Sequence, residues 1–407
     1  MERKRIVITG VGVVAPNGIG KEEFWNNCLA GVSGIKPITL FDTSKYRCHH
    51  AGEISNFQPE KYLGSKGLRN LDRTTLLALV AAKLAIEDAK LEITDDNRND
   101  IGVVLGSTMG SVHSISEFDK EGLREGPRYV NPAHFPNTVI NSPASQVAIR
   151  FGLRSLNTTI STGFTASLDA VGYAMDMLRL GRAKVLLVGG VEELCIQTYL
   201  GFSKLGLLAP CANGRAPAYA PLNGSADGLI LGEGAALFVL ETADAAASSG
   251  RPPVAELAGY GTAFRPEAIY RYDPEGVGFR QAATNALKDA RLDAARVAAV
   301  SLSANAVKAC DASEQHAVRE IFGSRGQPQL YTEKALFGET FSADGALRVA
   351  GAIRTAAQVA RVARQDVAHE LVVSAGATGS ASAVLVTVPA AVAESGQVIT
   401  TMVSTQP

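Results

Sequence analysis

Residues 158–193 read TTISTGFTASLDAVGYAMDMLRLGRAKVLLVGGVEE, and the order of patterns within this stretch decides the fold class. TTIST (158–162) predicts a short strand, SLDAVGYAMDMLRLGRA (167–183) a helix in spite of Gly172, and KVLLVGG (184–190) a second, continuously apolar strand. A strand, a sharp turn, a helix and another apolar strand is the β-α-β arrangement of parallel sheets, whose strands are covered on both faces.

The pattern extends in both directions. Upstream, RIVIT (5–9) and IGVVLG (101–106) predict buried strands. RTTLLALVAAKLAIEDA (73–89) predicts a helix rich in strong helix formers, with Asp72 placed to cap it. Downstream, ILGEGAALFVLE (230–241) predicts a long strand or strand pair after a loop-rich extension at 191–228. AAASSGRPP (245–253) is a surface connection. Beyond it the alternation resumes: VAELAGYGT (254–262), a helix near 279–290, AAVSLSAN (298–305), a helix from about Asp311, a strand near 328–333, a helix near 345–362, and HELVVSAGATGSASAVLVTV (369–388). The same order occurs twice, which divides the chain into halves at 1–245 and 246–407. Residues 111–142, with Pro127, Pro132, Pro136 and then Pro143, are expected to be an irregular interface or active-site excursion.

Composition narrows the function classes. The chain has 407 residues, 46% apolar and 19% charged, with 39 basic and 40 acidic side chains. That balance creates no field favouring nucleic acid or an anionic membrane. No run is apolar and long enough for a membrane span. Five cysteines without paired spacing suit neither a disulfide framework nor a zinc site, so a reducing cytoplasm and no metal are expected. TGVGVVAPNGIG (9–20) puts Ala15 in the third place of a dinucleotide-binding fingerprint and then interrupts the required helix with Pro16-Asn17; a tight turn is expected there instead, and no nucleotide or other cofactor.

Taken in order over nearly the whole chain, VITGVGVVAPNGIGKEEFW, LAGVSGI, LDRTTLLALVAAKLAIEDA, VVLGS, STGFTASLDAVGYAMDMLRLGRAKVLLVGGVEE, ADGLILGEGAALFVLE and GATGSASAVLV resemble the β-ketoacyl synthases of the thiolase-like superfamily. The resemblance implies an α/β fold of five layers, α-β-α-β-α, built from two duplicated halves. It also implies a nucleophilic cysteine in the turn before the central helix, where this chain has Phe164. A first histidine is implied in the loop within SLSANAVKACDASEQHAV (301–318). This chain has none between Ser301 and Asp311, and either Asn305 or Val307 stands at the position. A second histidine is implied in KALFGETFSADG (334–345), where Lys334 and Gly338 are retained and Glu339 replaces it.

Three losses in one catalytic set make the chain similar to the ketosynthase-beta, or chain-length-factor, subunits of bacterial type II polyketide synthases. Such a subunit pairs as a heterodimer with an active ketosynthase-alpha. That partner holds the growing chain as a thioester, while acyl carrier protein delivers malonyl units for decarboxylative condensation. Most of that class carry glutamine at the cysteine position; Phe164 departs from this and suits a hydrophobic plug. Phe118, Tyr129, His134 and Phe135 in the excursion are candidates for the tunnel wall or the interface. The competing expectation is a stand-alone β-ketoacyl synthase or thiolase-like acyltransferase with a relocated nucleophile, drawn from Cys195, Cys211 or Cys310. His316 and His369 are expected to be a helix-surface or interface residue and a residue leading into a buried strand, rather than catalytic groups.

Overall fold

A computed structural model describes residues 3–211, 219–223, 228–268, 271–323 and 328–389. The first two residues of the ADGLILGEGAALFVLE motif lie outside the described residues.

The first half contributes strands β1 (Ile6–Ala15), β2 (Ile101–Gly106), β3 (Asn157–Ile160), β4 (Val185–Glu192) and β5 (Gly234–Thr242). The second contributes β6 (Ala255–Phe264), β7 (Val297–Ser301), β8 (Gln329–Tyr331), β9 (Val367–Ala375) and β10 (Ser380–Pro389). Their spatial order is β3-β2-β4-β5-β1 followed by β6-β10-β9-β7-β8. Within each half the strands therefore lie in the order third, second, fourth, fifth, first. The pair types match as well: β2 is parallel to β3 and β4, as β7 is to β8 and β9, and the remaining pairs are antiparallel. The halves join where Ile6, Val7 and Ile8 pair with Leu257, Glu256 and Ala255. The duplication read from the sequence is thus present strand for strand.

Six helices, α1 (Arg73–Asp88), α3 (Ser142–Phe151), α4 (Ala166–Arg179), α5 (Val277–Ala290), α6 (Lys308–Phe322) and α7 (Asp344–Ala363), place the core, and α2 (Val112–Glu125) lies outside it. Strand side chains alternate between faces. In β4, Leu186 and Val188 enter a central cluster with Leu168, Val171 and Met175 of α4 and Leu347 and Ile353 of α7. Val185 and Leu187 instead meet Leu77, Val80 and Ala81 of α1 and Val147 of α3. The second half repeats this with Phe279 of α5 and Val318 of α6 against Leu371, Val373 and Leu385. Two outer helical layers, two sheet halves and a central α4/α7 layer give the five layers.

Two expectations need correction. The strand read as RIVIT does not end at Thr9: β1 runs on through Gly10 and Gly12 to Ala15, and the expected tight turn follows at Pro16-Asn17, where Ala15 pairs with Gly18. Gly10 and Gly12 serve helix packing, because a Cβ on Gly12 would stand 1.9 Å from the Ala81 carbonyl oxygen of α1. The excursion is also not irregular throughout. Val112–Glu125 forms a helix, with Val112, Ile115 and Phe118 at helical spacing and the first proline beyond its end. Asp72 caps α1 as expected, accepting from the Thr75 backbone N–H at 2.7 Å.

Candidate functional site

The turn between β3 and α4 holds Phe164. Gly163 adopts φ +73°, a left-handed conformation that favours glycine, and the short 3-10 turn Gly163–Thr165 then feeds α4. A side chain at the head of a helix, raised on a sharp turn, is well placed for a low-pKa thiol. Phenylalanine fills this position with a ring that has no ionisable or nucleophilic atom. Phe164 is buried, and its ring packs edge-on against Phe341, 5.2 Å between centroids. Phe341 in turn packs on Phe202 at 5.1 Å. Leu194, Tyr199, Leu229 and Leu231 complete the apolar cluster.

Phe341 belongs to the loop that begins at Lys334. Gly338 turns with φ +82°, which brings Glu339 into the interior with no exposed surface. One oxygen of Glu339 accepts from the Lys334 ammonium at 2.7 Å and from Asn305 Nδ2 at 3.2 Å. The other accepts from the Phe341 backbone N–H at 2.9 Å. Lys334 also lies 3.4 Å from Asp344, which is held by Arg348 at 2.8 Å. Burial opposes the charge on Lys334, but Asp344 and Glu339 outweigh it and hold the amine above its usual range.

The structure therefore brings together Phe164, Asn305, Val307, Lys334, Gly338 and Glu339. Both alternatives for the first histidine position reach the site: Asn305 bonds Glu339, and Val307 packs on the aromatic cluster. Val307 N–H also donates to Asn305 Oδ1 at 3.2 Å. Phe341, Phe202 and the Asp344–Arg348 pair escaped sequence reasoning. Phe341 stands two residues after Glu339, but nothing in its local pattern shows that its ring meets Phe164.

Ion pairing and aromatic packing are what this arrangement can do. Acyl transfer needs a nucleophile, and condensation needs neutral donors beside it. Glu339 is an acceptor already engaged by a buried cation. His316 instead lies 3.2 Å from Glu275 near the surface, and His369 meets Thr387 Oγ1 at 2.9 Å within the sheet. All five cysteines are free. Burial pushes the Cys195 thiol up to about 11 and the Cys310 thiol well above its ordinary range. Cys211 is half-buried and lies 3.5 Å from His50 Nδ1. Among the described residues, no group of histidines, cysteines and carboxylates is arranged to hold a metal ion.

The excursion residues lie apart from this cluster. Tyr129, His134 and Phe135 are exposed, with Tyr129 at 74%, whereas Phe118 is half-buried and packs on Phe135 at 6.1 Å. Helix α2 has no buried residue. Leu123 and Ile149 add further exposed apolar surface. Nearby, β3 ends the strand order, so its outer edge has no strand partner among the described residues. No helix among the described residues is long and apolar enough to cross a membrane.

Comparison with known proteins agrees with the fold. The family described as Beta-ketoacyl synthase, N-terminal domain matches residues 3–246, and Beta-ketoacyl synthase, C-terminal domain matches 254–360. The chain is 33% identical over 349 residues to 3-oxoacyl-[acyl-carrier-protein] synthase 2 of Coxiella burnetii, covering 85% of this chain and 84% of that protein. It is 32% identical over 348 residues to the protein of the same name from Staphylococcus aureus, with the same coverage. Among solved structures, the ishigamide ketosynthase/chain length factor superposes with a TM-score of 0.83 at 26% identity, covering 95% of this chain and all of that one. A type II polyketide synthase acyl-carrier protein in complex with its ketosynthase gives a TM-score of 0.84 at 24% identity, over 95% and 99% of the two chains; this likeness is one of fold alone.

Proposed function

The chain belongs to the β-ketoacyl synthase family, and we propose that within it this protein is a non-condensing subunit of the ketosynthase-beta, or chain-length-factor, kind. It pairs with an active ketosynthase-alpha, and acyl carrier protein brings malonyl units and the growing chain to that complex. The observation that carries the reading is the Phe164–Phe341 ring pair at the nucleophile position, braced through Glu339. Degeneration by drift would leave unpaired buried charge behind. Here each replaced position is packed or paired, as expected of a fold kept for assembly.

In this role the partner supplies the thiolate, and condensation runs in the partner's site. The present chain contributes a dry apolar wall from its aromatic cluster and the excursion bearing Phe118, Tyr129, His134 and Phe135. These residues close the far end of the partner's tunnel and help set product length. The exposed apolar surface of α2 and its surroundings, with the open edge of β3, supports a large, partly apolar partner interface.

Co-expression with a cysteine-bearing ketosynthase encoded beside it is the test. A stoichiometric heterodimer that makes product only when both chains are present supports the reading; equal stability and yield with and without every such partner overturns it. The alternative, a stand-alone acyltransferase with a relocated nucleophile, would have to rest on Cys211 and His50. Loss of an intrinsic acyl-transfer activity in C211A would favour it.

A further inference from the structure

The two rings of the plug are tied to the base of the excursion by a compact set of hydrogen bonds centred on a buried carboxyl. Glu192, at the end of β4, has no exposed surface. Its carboxylate accepts from the Thr108 backbone N–H at 3.0 Å, the Met109 N–H at 3.1 Å and the Ser342 hydroxyl at 2.6 Å. Ser342 follows Phe341. Thr108 Oγ1 donates to the Gly163 carbonyl at 2.8 Å, and Gly163 precedes Phe164. The Met109 side chain packs against the cluster that contains both rings. One residue further along β4, Glu193 accepts from the His113 N–H, in the first turn of α2, at 3.1 Å. The segment 108–113, which launches the excursion, is thereby fastened at successive points to the residues flanking Phe164 and Phe341.

We infer that Thr108 and Glu192 are positioning residues that couple the Phe164–Phe341 pair to the excursion, so that a protein seated on α2 sets where the plug stands. The inference rests on reading the chain as a partner subunit, and it names how that site is regulated. The physical basis is steric and directional. Segment 108–111 cannot move without stretching hydrogen bonds to Glu192, which is fully buried and whose carboxyl is costly to leave without partners. Because Ser342 shares the carboxylate, displacement of 108–109 is passed to the residue beside Phe341. Through Gly163 it is passed to the residue beside Phe164.

The test places 4-fluorophenylalanine at position 164 of the full chain and follows its fluorine resonance. T108V keeps the shape but loses the bond to Gly163, T108S keeps the bond, and E192Q keeps two acceptor lone pairs but loses the charge. T108V and E192Q are expected to displace the resonance, and T108S to restore the wild-type position. If E192Q does not fold, T108V and S342A carry the same test. Adding the ketosynthase partner is expected to shift the wild-type resonance and to shift that of T108V less. Unchanged resonances in the folded variants, or a partner-induced shift equal in wild type and T108V, overturn the coupling. Displaced resonances in the variants with no partner complex leave the link standing and overturn the subunit reading. A complex that forms without any fluorine response does the reverse.

Discussion

Glu339 accepts the backbone N–H of Phe341 at 2.9 Å while its other oxygen is held by Lys334 at 2.7 Å. Phe341 sits at φ +48°, a left-handed conformation that a β-carbon disfavours, and its ring is packed on Phe164. The Glu339 carboxylate thus braces the ring that covers Phe164, and the two residues form one packed unit.

Restoring the thiol alone does not restore condensation. F164C removes the ring from Phe341 and supplies a sulfur at a helix head, but Glu339 remains an acceptor and Asn305 remains bound to it. Paired with a cysteine-dead ketosynthase, F164C is expected to react with an alkylating agent yet form no carbon–carbon bond, as judged by product mass spectrometry. Condensed product from that pair shows that the loops at 305 and 339 supply what histidines do elsewhere.

Breaking the buried ion pair is expensive. Lys334 and Glu339 are 1% and 0% exposed, so E339A takes from the buried ammonium its nearer ion-pair partner and leaves Asp344 at 3.4 Å. Loss of one partner of a buried pair costs about 3–5 kcal/mol. Urea unfolding of E339A is expected to show a loss of that order, with E339Q falling between it and wild type.

Acidity supplies another test. Burial raises the Glu193 carboxyl to about 8, against 4.5 ordinarily, and the Glu192, Glu314 and Glu333 carboxyls to about 7. A raised native pKa means that the native state binds more protons than the unfolded one between about pH 4.5 and 8. Stability from these groups is therefore full below that window and lost as pH rises through it. Burial lowers His50 and His369, which pull the other way. The useful quantity is therefore a difference: E193Q should gain in Tm relative to wild type between pH 5.5 and 8.5. A constant difference across that range contradicts a neutral buried Glu193.

Product length tests the excursion collectively. Of Phe118, Tyr129, His134 and Phe135, at least one reduced to Ala should lengthen the longest released chain while heterodimer yield is retained. Tyr129 and Phe135 are largely exposed in the single chain, so their removal should leave its own stability almost unchanged. An unchanged product distribution from all four assembled variants moves the tunnel floor elsewhere.

The fold was legible because its strands are short apolar runs and its halves repeat. What failed was local reading of residues whose reasons are tertiary. Gly10 and Gly12 look like the end of the RIVIT strand until Ala81 and Ala85 of α1 are seen lying on them, whereas the turn at Pro16-Asn17 was legible. Helix α2 was obscured by the prolines that follow it, and its apolar side chains are only partly covered, Phe118 by Phe135. Phe164 was legible from its register in a motif. Phe341 was not, because an aromatic pair separated by 177 positions leaves no local trace. Asn305 and Val307 could not be separated from the motif, and both reach the site, one by hydrogen bond and one by packing.

The most direct measurement is intact-protein mass spectrometry of the assembled pair after incubation with malonyl- and acyl-loaded carrier protein. Phe164 offers no nucleophile, and burial raises the Cys195 and Cys310 thiols. Acyl mass is therefore expected on the ketosynthase partner alone, with this 42.6 kDa chain unmodified. Stoichiometric acylation of this chain, at Cys211 or at any other residue, overturns its assignment as the non-condensing subunit.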